Sequence, residues 1–160
     1  MRFRHELSYD ASPTEVFEML ADPAFREKVG AAMDVVSAEV AVDRTVEGFL
    51  LTIDQVQRTE GLPSFAKKFA GETTRAIQVE EWPDATGGSL TIDAPGKPSS
   101  ISGTIALVPE GSGTTEVVEL HIKVKVPLIG GKLEGLLEEQ VRKGMDIEHE
   151  VGKAWLKGER

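Results

Sequence analysis

The 160 residues carry a formal net charge of −9, no cysteine, and 40% hydrophobic against 28% charged residues. That size favours one domain with its own core, read here over residues 1–160, and the composition is ordinary for a globular protein. The acidic balance argues against sequence-independent nucleic-acid binding and strong attraction to an anionic membrane, and without cysteine no disulfide, zinc–thiolate site or thiol nucleophile exists.

The first ten residues, MRFRHELSYD, alternate polar and apolar side chains and lack the apolar core of a secretion signal. No stretch approaches the roughly 20 apolar residues of a spanning helix, so a cytoplasmic location without integral membrane association is expected. Basic residues are scattered; AKKFAG at 66–71 is their densest cluster away from the ends.

Phe3, His5, Leu7 and Tyr9 share one face of a first strand. SPTEVFEML follows as a helix start, with Ser12 as N-cap, Pro13 in the first helical position and Glu15 completing a capping box. Asp22-Pro23 restarts a second short helix over roughly 24–33. From Asp34 to Val126 the chain reads as a meander: DVVSAEVAVD, TVEGFLLTIDQVQR, ETTRAIQVEEW, GSLTIDA, SISGTIALVP and TTEVVELHIKVKV, separated by Pro- and Gly-rich turns. In the last of these Val118, Leu120, Ile122, Val124 and Val126 face one way, and Glu119, His121, Lys123 and Lys125 the other, as in a sheet with one wet face. GLPSFAKKFAG, 61–71, interrupts the meander with apolar residues at helical spacing, as a plug for the core or a lid over a pocket. A long helix over 132–157 carries Leu133, Leu136, Leu137, Val141, Met145, Val151 and Trp155 on one stripe, interrupted by Gly144 and Gly152.

This order predicts an α+β fold. A curved antiparallel sheet of about seven strands, with two short helices after the first, wraps around a long C-terminal helix that covers its apolar face. The space between such a sheet and helix suits an apolar ligand. The order resembles the helix-grip fold of START-like proteins, which include the birch-pollen-allergen type and polyketide cyclases. LPSFAKKFAGE at 62–72, QVEEW at 78–82, VPLIGGKLE at 126–134 and KAWL at 153–156 are more closely similar to an uncharacterised bacterial branch, a domain family of unknown function. The resemblance implies a fold and a hydrophobic cavity; it transfers no catalytic residue.

VPLIGGKLE also raises a phosphate loop, but no glycine precedes Gly130-Gly131-Lys132 at the required distance, Leu133 replaces the hydroxyl residue, and the strands are not parallel. Here Pro127 ends the strand, the two glycines turn the chain, and Glu134 complements the helix dipole. His149, near Asp146, reads as part of a solvated charged face. Among the serines no nucleophile elbow occurs.

The expectation is a non-catalytic protein that binds or carries a hydrophobic or amphipathic, lipid-like small molecule, with no cofactor and no metal. Its wall comprises Phe49, Leu51, Ile53, Ile77, Val79, Ile105, Leu107, Leu120 and Ile122 from the sheet, and Leu137, Val141 and Met145 from the helix. Phe65 and Phe69 form the gate, and His5 and Arg75 are the candidate polar groups of the pocket. The same pattern fits a filled interior. Two other readings are a cyclase- or dehydratase-type enzyme built on His5 or Arg75, and a protein-interaction module displaying Phe65–Phe69.

Overall fold

The computed structural model describes residues 1–59 and 61–160. The alternating segments pair into one curved antiparallel sheet, from β1 (Arg2–Tyr9), β2 (Ser37–Arg44), β3 (Phe49–Arg58), β4 (Thr73–Asp84), β5 (Gly87–Asp93), β6 (Ser99–Glu110) and β7 (Gly113–Val124). Their order is β1-β7-β6-β5-β4-β3-β2, so the meander ends beside its own first strand. Among the described residues, four helices accompany the sheet: α1 (Pro13–Leu20), α2 (Pro23–Ala32), α3 (Ser64–Ala70) and α4 (Gly130–Leu156). This is the helix-grip arrangement expected from the sequence. Among the described residues no helix is long and apolar enough to cross a membrane.

Local chemistry accounts for the boundaries. The Ser12 hydroxyl accepts from the Glu15 N–H, and the Glu15 carboxylate accepts from the Ser12 N–H, closing the capping box. The Asp22 carboxylate caps α2 at the Ala24 N–H, and the helix begins at Pro23, whose missing N–H costs nothing there. Two strands start later than their apolar runs suggest. Asp34 has φ of 55°, which ends the α2 connection without entering a strand. Thr45 to Gly48 form a turn in which the Thr45 N–H donates to the Gly48 carbonyl and the Gly48 N–H to the Thr45 hydroxyl.

The connection from β7 to α4 differs from the expected glycine hinge. The chain reverses at Leu128, which has φ of 71° and is fully exposed. Gly130 and Gly131 already belong to α4. Gly130 is needed for proximity: a Cβ there would lie 2.7 Å from the Val124 carbonyl oxygen. Glu134 does not act in the first turn; its carboxylate reaches back to the Val124 N–H at 3.1 Å, and that bond lowers its pKa.

Alternation sends Phe3, Leu7 and Tyr9 of β1, Phe49, Leu51 and Ile53 of β3, Trp82 of β4 and Val118, Leu120 and Ile122 of β7 inward. They meet Val16, Phe17, Leu20, Phe25 and Trp155 in a filled core at the α1–α2 end. A second apolar cluster, Ala66, Val124 and Leu133 with Leu62, Phe69 and Leu136, lies under α3 at the other end. Gly152 lets α4 approach this sheet closely, because a Cβ there would stand 2.8 Å from Cε1 of Tyr9.

Candidate functional site

Between the two apolar clusters, the sheet and α4 do not close on each other. A cavity of ≈ 250 Å³ remains. Its walls are Leu90, Ile92, Ile101, Ile105 and Val118 from the sheet and Leu137, Val141 and Met145 from α4. Gln55, Gln57, Thr74, Ala76 and Gln78 line the β3–β4 side, and Leu62, Ala66 and Phe69 cover the α3 end. Gly144 faces it too, so this interruption of the helical stripe leaves room where Gly152 instead permits contact.

The two ends of the cavity differ in charge. Arg58 and Lys97 line the α3 end, near the last residues of β3 and the β5–β6 turn. The opposite end holds Glu80, Glu116 and Glu148. From Val124, near the α3 end, β7 runs roughly 25 Å back to Glu116 at the usual strand rise.

Among the described residues, one cation serves this acidic end. Arg26 of α2 is buried and donates from Nε to the Leu20 carbonyl at 2.8 Å, from Nη1 to Glu148 at 2.9 Å and from Nη2 to Glu80 at 3.2 Å. Burial opposes its charge, but Glu80, Glu148 and Glu116 outweigh that cost and raise its pKa. Glu80 also accepts from Gln78 Nε2 at 2.5 Å and Trp82 Nε1 at 3.0 Å, so its carboxylate is held by three side chains. Glu116 receives nothing from Arg26. It is 4% exposed, and its Oε1 has no hydrogen-bond partner among the described residues. Burial, then the charges of Glu148 and Glu80, push its pKa well above the usual glutamate value against the pull of Arg26. Glu148 is raised as well, by burial and Glu80, with Arg26 opposing. The neighbouring Tyr9 hydroxyl is likewise buried without a partner among the described residues, and burial raises its pKa.

The expected wall residues divide into three groups. Ile105, Leu137, Val141, Met145 and Phe69 line the cavity. Phe49, Leu51, Ile53, Leu107, Leu120 and Ile122 point inward but belong to the filled core beside it. Ile77 and Val79 face away, because the inward side of β4 is that of Thr74, Ala76, Gln78, Glu80 and Trp82. Phe65 is 37% exposed and does not reach the cavity, so Phe69 is the aromatic side chain at the α3 end.

Neither candidate polar group is in the pocket. Arg75 lies on the outer face of β4 and forms a two-pronged pair with Asp54, at 2.9 and 2.5 Å. His5 is on the inward face of β1 but meets α4 instead, with Nε2 2.7 Å from Asp146 and Nδ1 3.2 Å from Arg142. His149 is not merely solvated: its Nε2 lies 2.7 Å from the Ser8 carbonyl oxygen and its ring stands edge-on to Tyr9. Among the described residues no group of three or more His, Asp or Glu side chains is placed to hold a metal ion.

Sequence reasoning missed the acidic end, although part of it carries a signal. Glu116 has the strand parity of Val118, Leu120 and Ile122, and Glu80 that of Trp82, so both are acids on buried faces. Glu148 fills the gap between Met145 and Val151 in the apolar stripe of α4. Arg26 gives the weakest signal, a charge adjacent to Phe25 in a short helix.

Residues 4–156 match the family described as "Protein of unknown function (DUF2505)", and the chain belongs to that family. Uncharacterised proteins of Mycobacterium tuberculosis and Mycobacterium bovis are 28% identical to it over 120 residues, which span 71% of this chain and 67% of each relative. Among solved structures, a Thermus thermophilus protein, TTHA0849, is similar with a TM-score of 0.67 at 20% identity, covering 99% of this chain and 98% of that one. Ara h 8.0201 gives 0.64 at 14% identity over 99% and 98% of the two chains. Norcoclaurine synthase from Thalictrum flavum, in complex with dopamine and hydroxybenzaldehyde, gives 0.65 at 15% identity over 98% and 87%. At these identities the likeness is one of fold, and the fold is the helix grip of the birch-pollen-allergen type.

Proposed function

We propose that this chain binds an amphipathic small molecule, without catalysis, in the cavity between the sheet and α4. The observation that carries this reading is the ≈ 250 Å³ space bounded by Ile101, Ile105, Val118, Val141 and Met145, with carboxyl groups at one end only. An apolar cavity of about 150 Å³ already admits benzene, so an eight-carbon chain or a substituted ring is a fitting size class. Burying such a body contributes about 25 cal/mol per Å² of apolar surface. Support also comes from the similar fold of norcoclaurine synthase, whose structure holds two small aromatic molecules. The enzymatic alternative rests on His5 and Arg75, and both are engaged by other side chains outside the cavity.

Native mass spectrometry of protein purified without denaturation tests the reading. An adduct of small-molecule mass, absent from an Ala76→Phe variant whose new ring occupies the cavity, is the expected result. No adduct, together with no binding of added octanol to the wild-type protein, contradicts it.

A further inference from the structure

We propose, on the reading that the cavity binds a small molecule, that its ligand is an amphipathic primary amine. The ammonium group sits against Glu116, and the apolar body extends between Ile105, Val118 and Val141 toward α3.

The acidic end of the cavity holds more carboxyl groups than cationic partners. Three carboxyl groups, Glu80, Glu116 and Glu148, line the acidic end, and among the described residues Arg26 alone answers them. Its guanidinium donates to the Leu20 carbonyl, Glu80 and Glu148, and forms no hydrogen bond to Glu116. A buried polar atom without a partner costs on the order of 1–3 kcal/mol and is uncommon in folded proteins. Here the orphan is Oε1 of Glu116, an enclosed atom near the Tyr9 hydroxyl, which is likewise unpartnered among the described residues; the side chain as a whole lines the cavity, so a turn of the carboxyl group presents it to a donor there.

The sign of the local field selects that partner. At Glu116 the negative charges of Glu148 and Glu80 oppose a further negative charge, and Arg26 only partly offsets them. A carboxylate or phosphate head would meet the same repulsion. A neutral hydroxyl satisfies one hydrogen bond but leaves the field unanswered. An ammonium supplies hydrogen-bond donors and, as Glu116 gives up its proton, the positive charge that pairs with the carboxylate formed; charge-assisted bonds of this kind are the stronger ones. The basic side chains of the lining, Arg58 and Lys97, stand at the far end and do not compete for this position.

Proton balance follows from the same groups. Facing Glu116 are Tyr9 on β1, Arg26 on α2, Glu80 on β4 and Glu148 on α4. Before binding, burial and the charges of Glu148 and Glu80 favour the protonated form of Glu116. An alkylammonium that enters displaces its proton to solvent and leaves an ammonium–carboxylate pair. Amine affinity therefore rises with pH until the amine itself loses its charge.

Calorimetric titration with octylamine, octanol and octanoate at pH 8 tests the inference, with the protein in two buffers of different protonation enthalpy. Octylamine should bind at least about tenfold more tightly than octanol, as expected for one added charged hydrogen bond, and octanoate more weakly than either. The amine heat should depend on the buffer, reporting a released proton. In Glu116→Gln the amine preference should collapse to within about threefold while octanol binding persists. Octanol bound as tightly as octylamine, or octanoate the tightest, overturns the amine assignment and leaves the pocket standing. Failure of all three ligands to bind wild-type protein overturns both. The wild-type comparison decides the question even if the variant does not fold.

Discussion

Nη2 of Arg26 donates to Oε1 of Glu80 across 3.2 Å with both side chains buried, which ties α2 to β4 at the acidic end of the cavity. The pair is enclosed by Trp82, whose indole N–H donates to the same carboxylate oxygen, and by Glu148 on α4. A buried charge is tolerated only when paired and hydrogen-bonded. These bonds therefore supply the partners that burying Glu80 and Glu148 beside the cavity requires. Arg26→Met removes the cation and leaves Glu80 and Glu148 buried without a counter-charge. Removing one partner of a buried pair costs about 3–5 kcal/mol, and urea unfolding at neutral pH should show a loss of that order.

Glu116 predicts an opposite effect with a pH signature. Its folded pKa lies above the unfolded value, so the native state holds a proton that the unfolded chain releases. Its contribution is fully present below the unfolded pKa, about 4.3, and declines as pH rises toward the folded one. Glu116→Gln keeps the shape and removes that titration. The variant should gain on wild type by up to about 1.4 kcal/mol per pH unit over the window where native Glu116 stays protonated. Urea unfolding of both proteins from pH 4 upward measures the slope. Parallel curves would show that Glu116 titrates normally.

The two glycines inside α4 should respond differently to alanine. At Gly152 a Cβ would meet Cε1 and the hydroxyl oxygen of Tyr9 at 2.8 and 3.1 Å and Cε of Met19 at 3.1 Å, all in the filled core. Overpacking of that kind costs about 1–3 kcal/mol. At Gly144 the nearest atom is Cε of Met33 at 3.4 Å, a flexible tip, and the residue faces the cavity. Gly144→Ala should gain up to about 1 kcal/mol from helix propensity while trimming the ligand space. Thermal melts of both variants distinguish the two roles.

Arg75 gives a negative control. Its exposed pairing with Asp54 raises the pKa of Arg75 and lowers that of Asp54, on the face away from the cavity. Arg75→Ala should leave octanol binding unchanged in calorimetry; a weakened affinity would bring the outer face of β4 into the site.

The fold is legible in the sequence because its signals are local and redundant. Ser12, Pro13 and Glu15 mark a helix start by chemistry that the structure reproduces bond for bond. The alternation from Val118 to Val124 sets the inward face of β7 independently of its neighbours. The β4 wall is misleading because Ile77 and Val79 are more apolar than Gln78 and Glu80, and hydrophobicity alone puts the wrong face inward. The inward polar residues are explained only by Arg26, which lies 54 residues from Glu80 and 122 from Glu148. No local pattern announces such a partner. Likewise, Leu120 and Ile122 have the same alternation as Val118, and only three-dimensional packing separates filled core from cavity lining. The hinge at Leu128 is hidden for a related reason: adjacent glycines draw a turn assignment, while a leucine at φ of 71° does not.

The most direct test of the central claim is the temperature dependence of octanol binding to wild type and to Ala76→Phe, measured by calorimetry. Burial of apolar surface on binding leaves a negative heat-capacity change. The account predicts that signature in wild type and no binding in the variant, at comparable thermal stability. Equal binding by both proteins would place the ligand outside the cavity and contradict it.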